Sequence, residues 1–322
     1  MTGHWKAGLC IAGAVALAGL AEAQVASPPP FAFPVPPPGT PAPATTDEIA
    51  HLPGSTAAFT LKQVRDGFNV ADWFPQDHPR MPAYVAHGHS PDVRGCAYCH
   101  LPNGQGRPEN ASLAGQPSAY IVEQVVAMRE GRRHSSVPQM GPPAAMLALS
   151  QHAKDADIKI AGDYFAGLKF HKWIRVVETD MAPKTFVDGT SMLTATPDGA
   201  KEKLAGDRLL EMPENVARTE LRDPRSGFVA YVPKGSIAHG KALVQSDAGR
   251  LPCAVCHGDD YKGAAGTPSL AGRSPSYLIR QMYDIQHGAR GGPALAPMKA
   301  EVAKLKQADM VAIAAYLASR EP

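Results

Sequence analysis

A five-residue pattern occurs twice, as C-A-Y-C-H at 96–100 and C-A-V-C-H at 253–257. Few local signals restrict a fold more tightly, because C-x-x-C-H is the attachment sequence for c-type haem. Its two thiols form thioethers with the vinyl groups along one edge of a porphyrin. The adjacent histidine turns beneath the iron and ligates it. Two such motifs in one chain imply two covalently held haems, with Cys96, Cys99, Cys253 and Cys256 as attachment points and His100 and His257 as proximal ligands. The competing chemistry is structural zinc, which pairs C-x-x-C units separated by ~15–20 residues. Here the two units lie 157 residues apart, counting from Cys96 to Cys253, so each would need further ligands of its own.

The cysteine count sharpens this. The chain has 5 cysteines. Four belong to the motifs, and Cys10 falls in a segment expected to be removed. No thiol remains for a disulfide, a cysteine axial ligand or a nucleophile.

The ligand opposite each histidine decides between carrying electrons and transforming a substrate. A methionine sulfur saturates the iron, raises its potential relative to bis-histidine ligation and leaves no open position. Met298, in A-P-M ahead of the last helix, is the candidate in the second half. The first half offers Met140 and Met146. Met146 stands 11 residues before Asp157, as Met298 stands 11 before Asp309, and that equal register selects Met146. Met140, in P-Q-M-G, is the alternative. The other histidines, including His87, His89, His134 and His239, occupy no repeated position.

The motifs sit inside an internal repeat. At an offset of 157, Leu113-Ala114-Gly115 meets Leu270-Ala271-Gly272, Tyr120 meets Tyr277, Gln124 meets Gln281, and Arg133 meets Arg290. The repeated Tyr and Arg residues suit either haem propionates or domain stability. Later the offset becomes 152, with Met146 meeting Met298 and Tyr164 meeting Tyr316. Helices are expected at each C-x-x-C-H, at 120–129 and 277–286, and near 157–168 and 310–317. In the last pair, Ile158, Ala161, Phe165 and Leu168, and Met310, Ile313 and Leu317, form apolar stripes at helical spacing.

The chain is long enough, at 322 residues, for two domains of ordinary size. Its net charge of +2 lacks the basic surplus of a nucleic-acid binder. Aromatics are only 7%, in keeping with small domains that gain apolar surface from a porphyrin. Residues 1–23 read as a secretory signal: a short n-region, an apolar run and A-E-A before Gln24. This predicts export, cleavage before Gln24, a periplasmic location and no transmembrane span in the mature chain. Residues 24–49 carry most of a proline-rich stretch and read as an extended, poorly packed spacer in polyproline II conformation. The first domain is expected over 50–169, the second over 236–322, and an insert over 170–235. Within the insert, 172–179 and 228–232 read as strands and 213–226 as a charged stretch with one helical turn. The insert reads either as a structured linker or as a docking surface.

The two C-x-x-C-H motifs, L-A-G followed by P-S-A-Y-I-V-E-Q and S-P-S-Y-L-I-R-Q, the G-R-R and G-A-R that follow, and the final A-D-M-V-A-I-A-A-Y-L resemble diheme cytochromes of the c4 type, within class I cytochromes c. The resemblance covers roughly 82–169 and 236–322. It implies a mostly α fold of two class I cytochrome c-like helical haem domains, here joined by a long irregular insert with short strands. It implies His/Met ligation by His100 with Met146 and His257 with Met298, and periplasmic electron transfer. The expected partners are a dehydrogenase or membrane complex as donor and an oxidase or other acceptor. The linker, about 65 residues, is long for this family. The alternative functions are a diheme peroxidase-like enzyme with one open iron position, and a cytochrome subunit of a dehydrogenase.

Overall fold

The computed structural model describes residues 1–4, 27–246, 251–264 and 266–322. Apart from the first four residues, the expected leader, its cleavage point before Gln24, and Cys10 lie outside the described residues.

A small antiparallel pair, β1 (Ile49–His51) and β2 (Ala58–Thr60), leads into α1 (Leu61–Val64). Thr60 caps α1 by accepting from Gln63 N, and Gln63 reaches back to Thr60 N. Leu52, Val64, Trp73 and Phe74 close a satellite cluster beneath them. The first helical unit follows: α2 (Ala83–His87), α3 (Cys96–His100), α4 (Ser118–Arg129), α5 (Gly141–His152) and α6 (Asp155–Ala166). Ile158, Ala161 and Phe165 of α6 are buried on one face, and Leu168 just beyond the helix is buried with them. The spacing of these residues predicts that arrangement.

The insert holds more regular structure than its composition suggests. Strands β3 (Ile174–Glu178), β8 (Leu210–Pro213) and β9 (Phe228–Val232) form a sheet of order β3-β9-β8, with β3 parallel and β8 antiparallel to β9. Between them, β4 (Met181–Pro183) pairs with β7 (Lys201–Lys203), and β5 (Thr185–Val187) pairs with β6 (Leu193–Ala195). The irregular linker expected at 170–235 is therefore a sheet element, with a one-turn α7 (Val216–Glu220) between β8 and β9. Ile174, Phe228 and Ala230 of its sheet are buried in a common cluster.

The second helical unit comprises α8 (Ser236–Gln245), α9 (Ala254–His257), α10 (Pro275–Gln286), α11 (Ala296–Val302) and α12 (Gln307–Ser319). Every residue from Met310 to Ala318 is buried. α12 is apolar all round because it packs on α8 on one side and on the insert sheet on another. No helix among the described residues is long and apolar enough to cross a membrane.

The proline-rich segment departs from expectation. Instead of an unpacked spacer over 24–49, Phe31, Ala32 and Phe33 turn into the largest hydrophobic cluster among the described residues. Phe33 meets Tyr283 edge-on at 5.6 Å, and Ala32 O accepts from Arg280 at 2.7 Å. The flanking prolines restrict the unfolded chain, so ordering it loses little entropy. Each buried phenylalanine contributes about 1.5–3 kcal/mol of transfer free energy.

Glu211 on β8 is buried and accepts from Ser274 Oγ, Ser276 Oγ and Ser276 N at the start of α10. Burial holds its carboxyl above the ordinary 4.5, against the pull of those donors. A raised carboxyl stabilises the fold fully below its unfolded value, and that contribution is lost as pH rises toward the folded value. Glu211→Gln should therefore gain stability relative to the parent on going from acidic to neutral buffer, read as urea midpoints at two pH values. A constant difference across pH would refute this.

Candidate haem site

Each C-x-x-C-H motif forms a short helix that ends at its histidine. In α3, His100 is buried and its Nδ1 lies 2.8 Å from Ala111 O. In α9, His257 is buried and its Nδ1 lies 2.9 Å from Pro268 O. A carbonyl only accepts, so Nδ1 carries the proton and Nε2 keeps its lone pair. Burial pushes both imidazoles below their ordinary pKa, which favours the neutral, ligating form. The two carbonyls stand 11 residues beyond their histidines in both units, so the same loop geometry orients both rings.

One cavity of about 1120 Å³ is lined by all four motif cysteines and both histidines. Pockets for a single drug-sized ligand are ~300–1,000 Å³, so this one is larger. Its first half is walled by Ile121, Leu149, Ile158 and Phe165, and its second by Leu278, Ile285, Ile313 and Leu317. None of the four is in a disulfide among the described residues. Burial pushes the Cys96 thiol up to about 12. It also raises Cys99, opposed by the charges of Arg222 and Arg107.

Met146 and Met298 both line the cavity, as do Met128 and Met282. Met140 is fully buried in a hydrophobic cluster and is not among the lining residues. Met146 lies on α5 and Met298 on α11, not in loops. Each stands nine residues ahead of the next helix, at Asp155 and Gln307 respectively.

The repeated Tyr, Gln and Arg residues bridge the two units reciprocally. Arg133 donates to Gln124 Oε1 at 3.0 Å, and across the joint to Tyr277 OH at 3.1 Å and Gln281 Oε1 at 3.0 Å. Arg290 donates to Gln281 Oε1 at 3.0 Å, and across to Tyr120 OH at 3.0 Å and Gln124 Oε1 at 2.8 Å. The backbones pair as well, with His134 N donating to Ala289 O and Gly291 N to Arg132 O, each at 2.8 Å. The equal offset of these residues signals a shared role. That the partners lie in opposite units is not written in either half alone.

The residues fit a c-type haem on several counts: paired thiols beside a neutral histidine with a free Nε2, apolar walls, and thioether sulfurs on the lining. Ser112 Oγ, Arg273 Nε and Arg290 Nε are buried without partners among the described residues, and all three side chains belong to residues that line the cavity. These are groups suited to the carboxylates of a porphyrin.

Comparison with known proteins points the same way. Residues 237–321 match the cytochrome c family model, which implies covalently bound c-type haem. A thiosulfate dehydrogenase electron acceptor from Stutzerimonas stutzeri is 42% identical over 69 residues, 21% of this chain and 31% of that protein. A cytochrome c4 from Pseudomonas aeruginosa is 39% identical over 70 residues, 21% of this chain and 33% of that protein. The matched segments thus span about a third of these two relatives. A thiosulfate dehydrogenase electron acceptor from Thiomonas intermedia is 22% identical over 233 residues, 71% of this chain and 80% of that protein. Over these segments the chain resembles the cytochrome c4 family.

Proposed function

We propose that this chain is an exported, periplasmic diheme electron carrier, in which two duplicated cytochrome c domains, at 50–169 and 236–322, each hold one His/Met-ligated haem. The observation that carries the reading is the cavity shared by both C-x-x-C-H helices, with each histidine held by Nδ1 on a carbonyl 11 residues on. A signal-like leader at 1–23 supports export.

A c-type haem supplies a one-electron iron couple when bound. The chain supplies the rest. Cys96, Cys99, Cys253 and Cys256 fix the porphyrins covalently. His100 and His257 present Nε2 to the metal, and the carbonyls of Ala111 and Pro268 keep the rings from rotating. Met146 and Met298, which line the same cavity, would hold the metal as well and would exclude a substrate from it. Apolar walls and the Arg133–Arg290 cage keep water out and the two halves in fixed register, so little has to reorganise when an electron arrives. Two relatives named as electron acceptors of thiosulfate dehydrogenase support a dehydrogenase as the donor.

The test is haem content by alkaline pyridine assay, together with the near-infrared methionine-to-iron charge-transfer band. Two haems per chain are expected. Met146→Ala and Met298→Ala should each remove about half of the band, and Met140→Ala should leave it intact. The reduced parent should not bind carbon monoxide. A band lost with Met140→Ala instead would reassign the first ligand. Carbon monoxide binding by the parent would favour an enzyme with an open position.

A further inference from the structure

The two C-x-x-C-H motifs share a geometry but not a neighbourhood. Residue Arg222, just past α7 of the insert, reaches back to the first motif. Its Nη1 donates to Tyr98 O, and its guanidinium stacks over the Tyr98 ring at 3.8 Å. Arg222 holds a left-handed φ of 57°, a conformation that a side-chain residue keeps only where its surroundings over-determine it. The surroundings do so. Trp73 Nε1 donates to Leu221 O at 2.7 Å and Asn103 Nδ2 to Pro224 O at 2.9 Å. Arg225 grips Asp77 with two bonds of 2.6 and 2.7 Å. The segment is pinned to the first unit on both sides of Arg222.

Around Cys99 three cations, Arg222, Arg107 and Arg94, face one acid, Glu109, while Asp157 acts on Cys96. Arg94 lies 5.8 Å from the same Tyr98 ring, and among the described residues neither Arg94 nor Arg222 forms an ion pair. Arg107 is buried and paired with Glu109, while Arg65 adds a further cation whose acidic neighbours are Glu220 and Asp188. At the offset of 157, Arg94, Tyr98 and Arg107 become Leu251, Val255 and Ala264, and Pro102 and Asn103 become Asp259 and Asp260. Val255 is 62% exposed, and Cys256 is exposed as well. The first motif is thus covered and cationic, the second open and flanked by acids.

We infer that Arg222 is a positioning and tuning residue, by which the insert makes the first haem the higher-potential centre of the pair. The inference rests on the diheme reading above. A fixed cation in a water-poor site disfavours the more positive ferric state. Exposure and the two aspartates favour that state at the second site. When one electron is shared between the two irons, the first iron is reduced and the second oxidised.

Potentiometric titration followed by visible absorption tests this. Arg222→Met, close in length and free of charge, should lower the higher midpoint by about 59 mV, a tenfold change in the one-electron equilibrium, and leave the lower one in place. Arg222→Lys, which keeps the charge, should restore most of the shift. Met298→Ala, made in the otherwise unaltered chain, should move the lower wave. Unchanged midpoints in Arg222→Met, equal shifts with lysine and methionine, or movement of the higher wave by Met298→Ala would each overturn the inference. Haem content read on the same samples separates the two levels. Two haems with unmoved midpoints defeat this inference alone, and fewer than two in the parent defeats the diheme reading.

Discussion

Gly240→Val should yield a protein whose second helical unit no longer closes. Gly240 sits on the face of α8 that crosses α12. A Cβ built there would stand 1.9 Å from Ala312 O, 2.5 Å from Ala312 C and 2.9 Å from Tyr316 Cβ. The first two atoms are helix backbone and cannot swing aside, so the helices must separate by more than an ångström. α12 is buried from Met310 to Ala318, and that separation opens the packing of α12 on α8 and disturbs its seat on the insert sheet. Overpacking of this kind costs about 1–3 kcal/mol or more, from a total of only ~5–15 kcal/mol for a domain. The expected outcome is a drop in urea midpoint together with a haem content that falls from two per chain toward one. Gly206→Ala is the matched control, since nothing lies within 4 Å of the added methyl. A Gly240→Val protein as stable as that control would show that the helices do not meet this closely.

The second large effect concerns the joint. Removing either Arg133 or Arg290 strips three hydrogen bonds from half-buried partners, two of them across the units. A hydrogen bond to a charged group is worth about 1.5–3 kcal/mol, and the partners left behind here are neutral. Arg133→Ala and Arg290→Ala should therefore each destabilise by about 3 kcal/mol. The double variant should fall short of their sum by about 1 kcal/mol, because both guanidiniums bond the same two acceptors, Gln124 and Gln281. Loss of the joint should also split a single unfolding transition into two. Strict additivity in the double-mutant cycle would mean that the two arginines act separately.

What the sequence discloses here is local. The C-x-x-C-H helices, the α6 stripe of Ile158, Ala161 and Phe165, and the strands β3 and β9 are legible because each is written in consecutive or periodic residues. The register of Met146 and Met298 is legible because it repeats. Contacts that join distant segments are not. The pairing of β3 with β9 spans more than 50 residues of chain and is parallel, so no turn announces it. Strands such as Lys201–Lys203 are short and charged and carry no strand signal. The F-A-F between the prolines was masked by its neighbours, since proline content speaks for stiffness and says nothing of what a stiff segment packs against. Arg222 is one of many surface-type residues in a charged stretch until the fold brings it to Tyr98.

The guanidinium of Arg280 gives one more consequence. It donates to Ala32 O near the beginning of the chain and to Pro108 O in the first unit, from its own place on α10 in the second. A ribosome delivers those three points in the order first, middle and last. The joint they define cannot set until α10 has been made, so the first helical unit must form its own helices before the two halves can lock together.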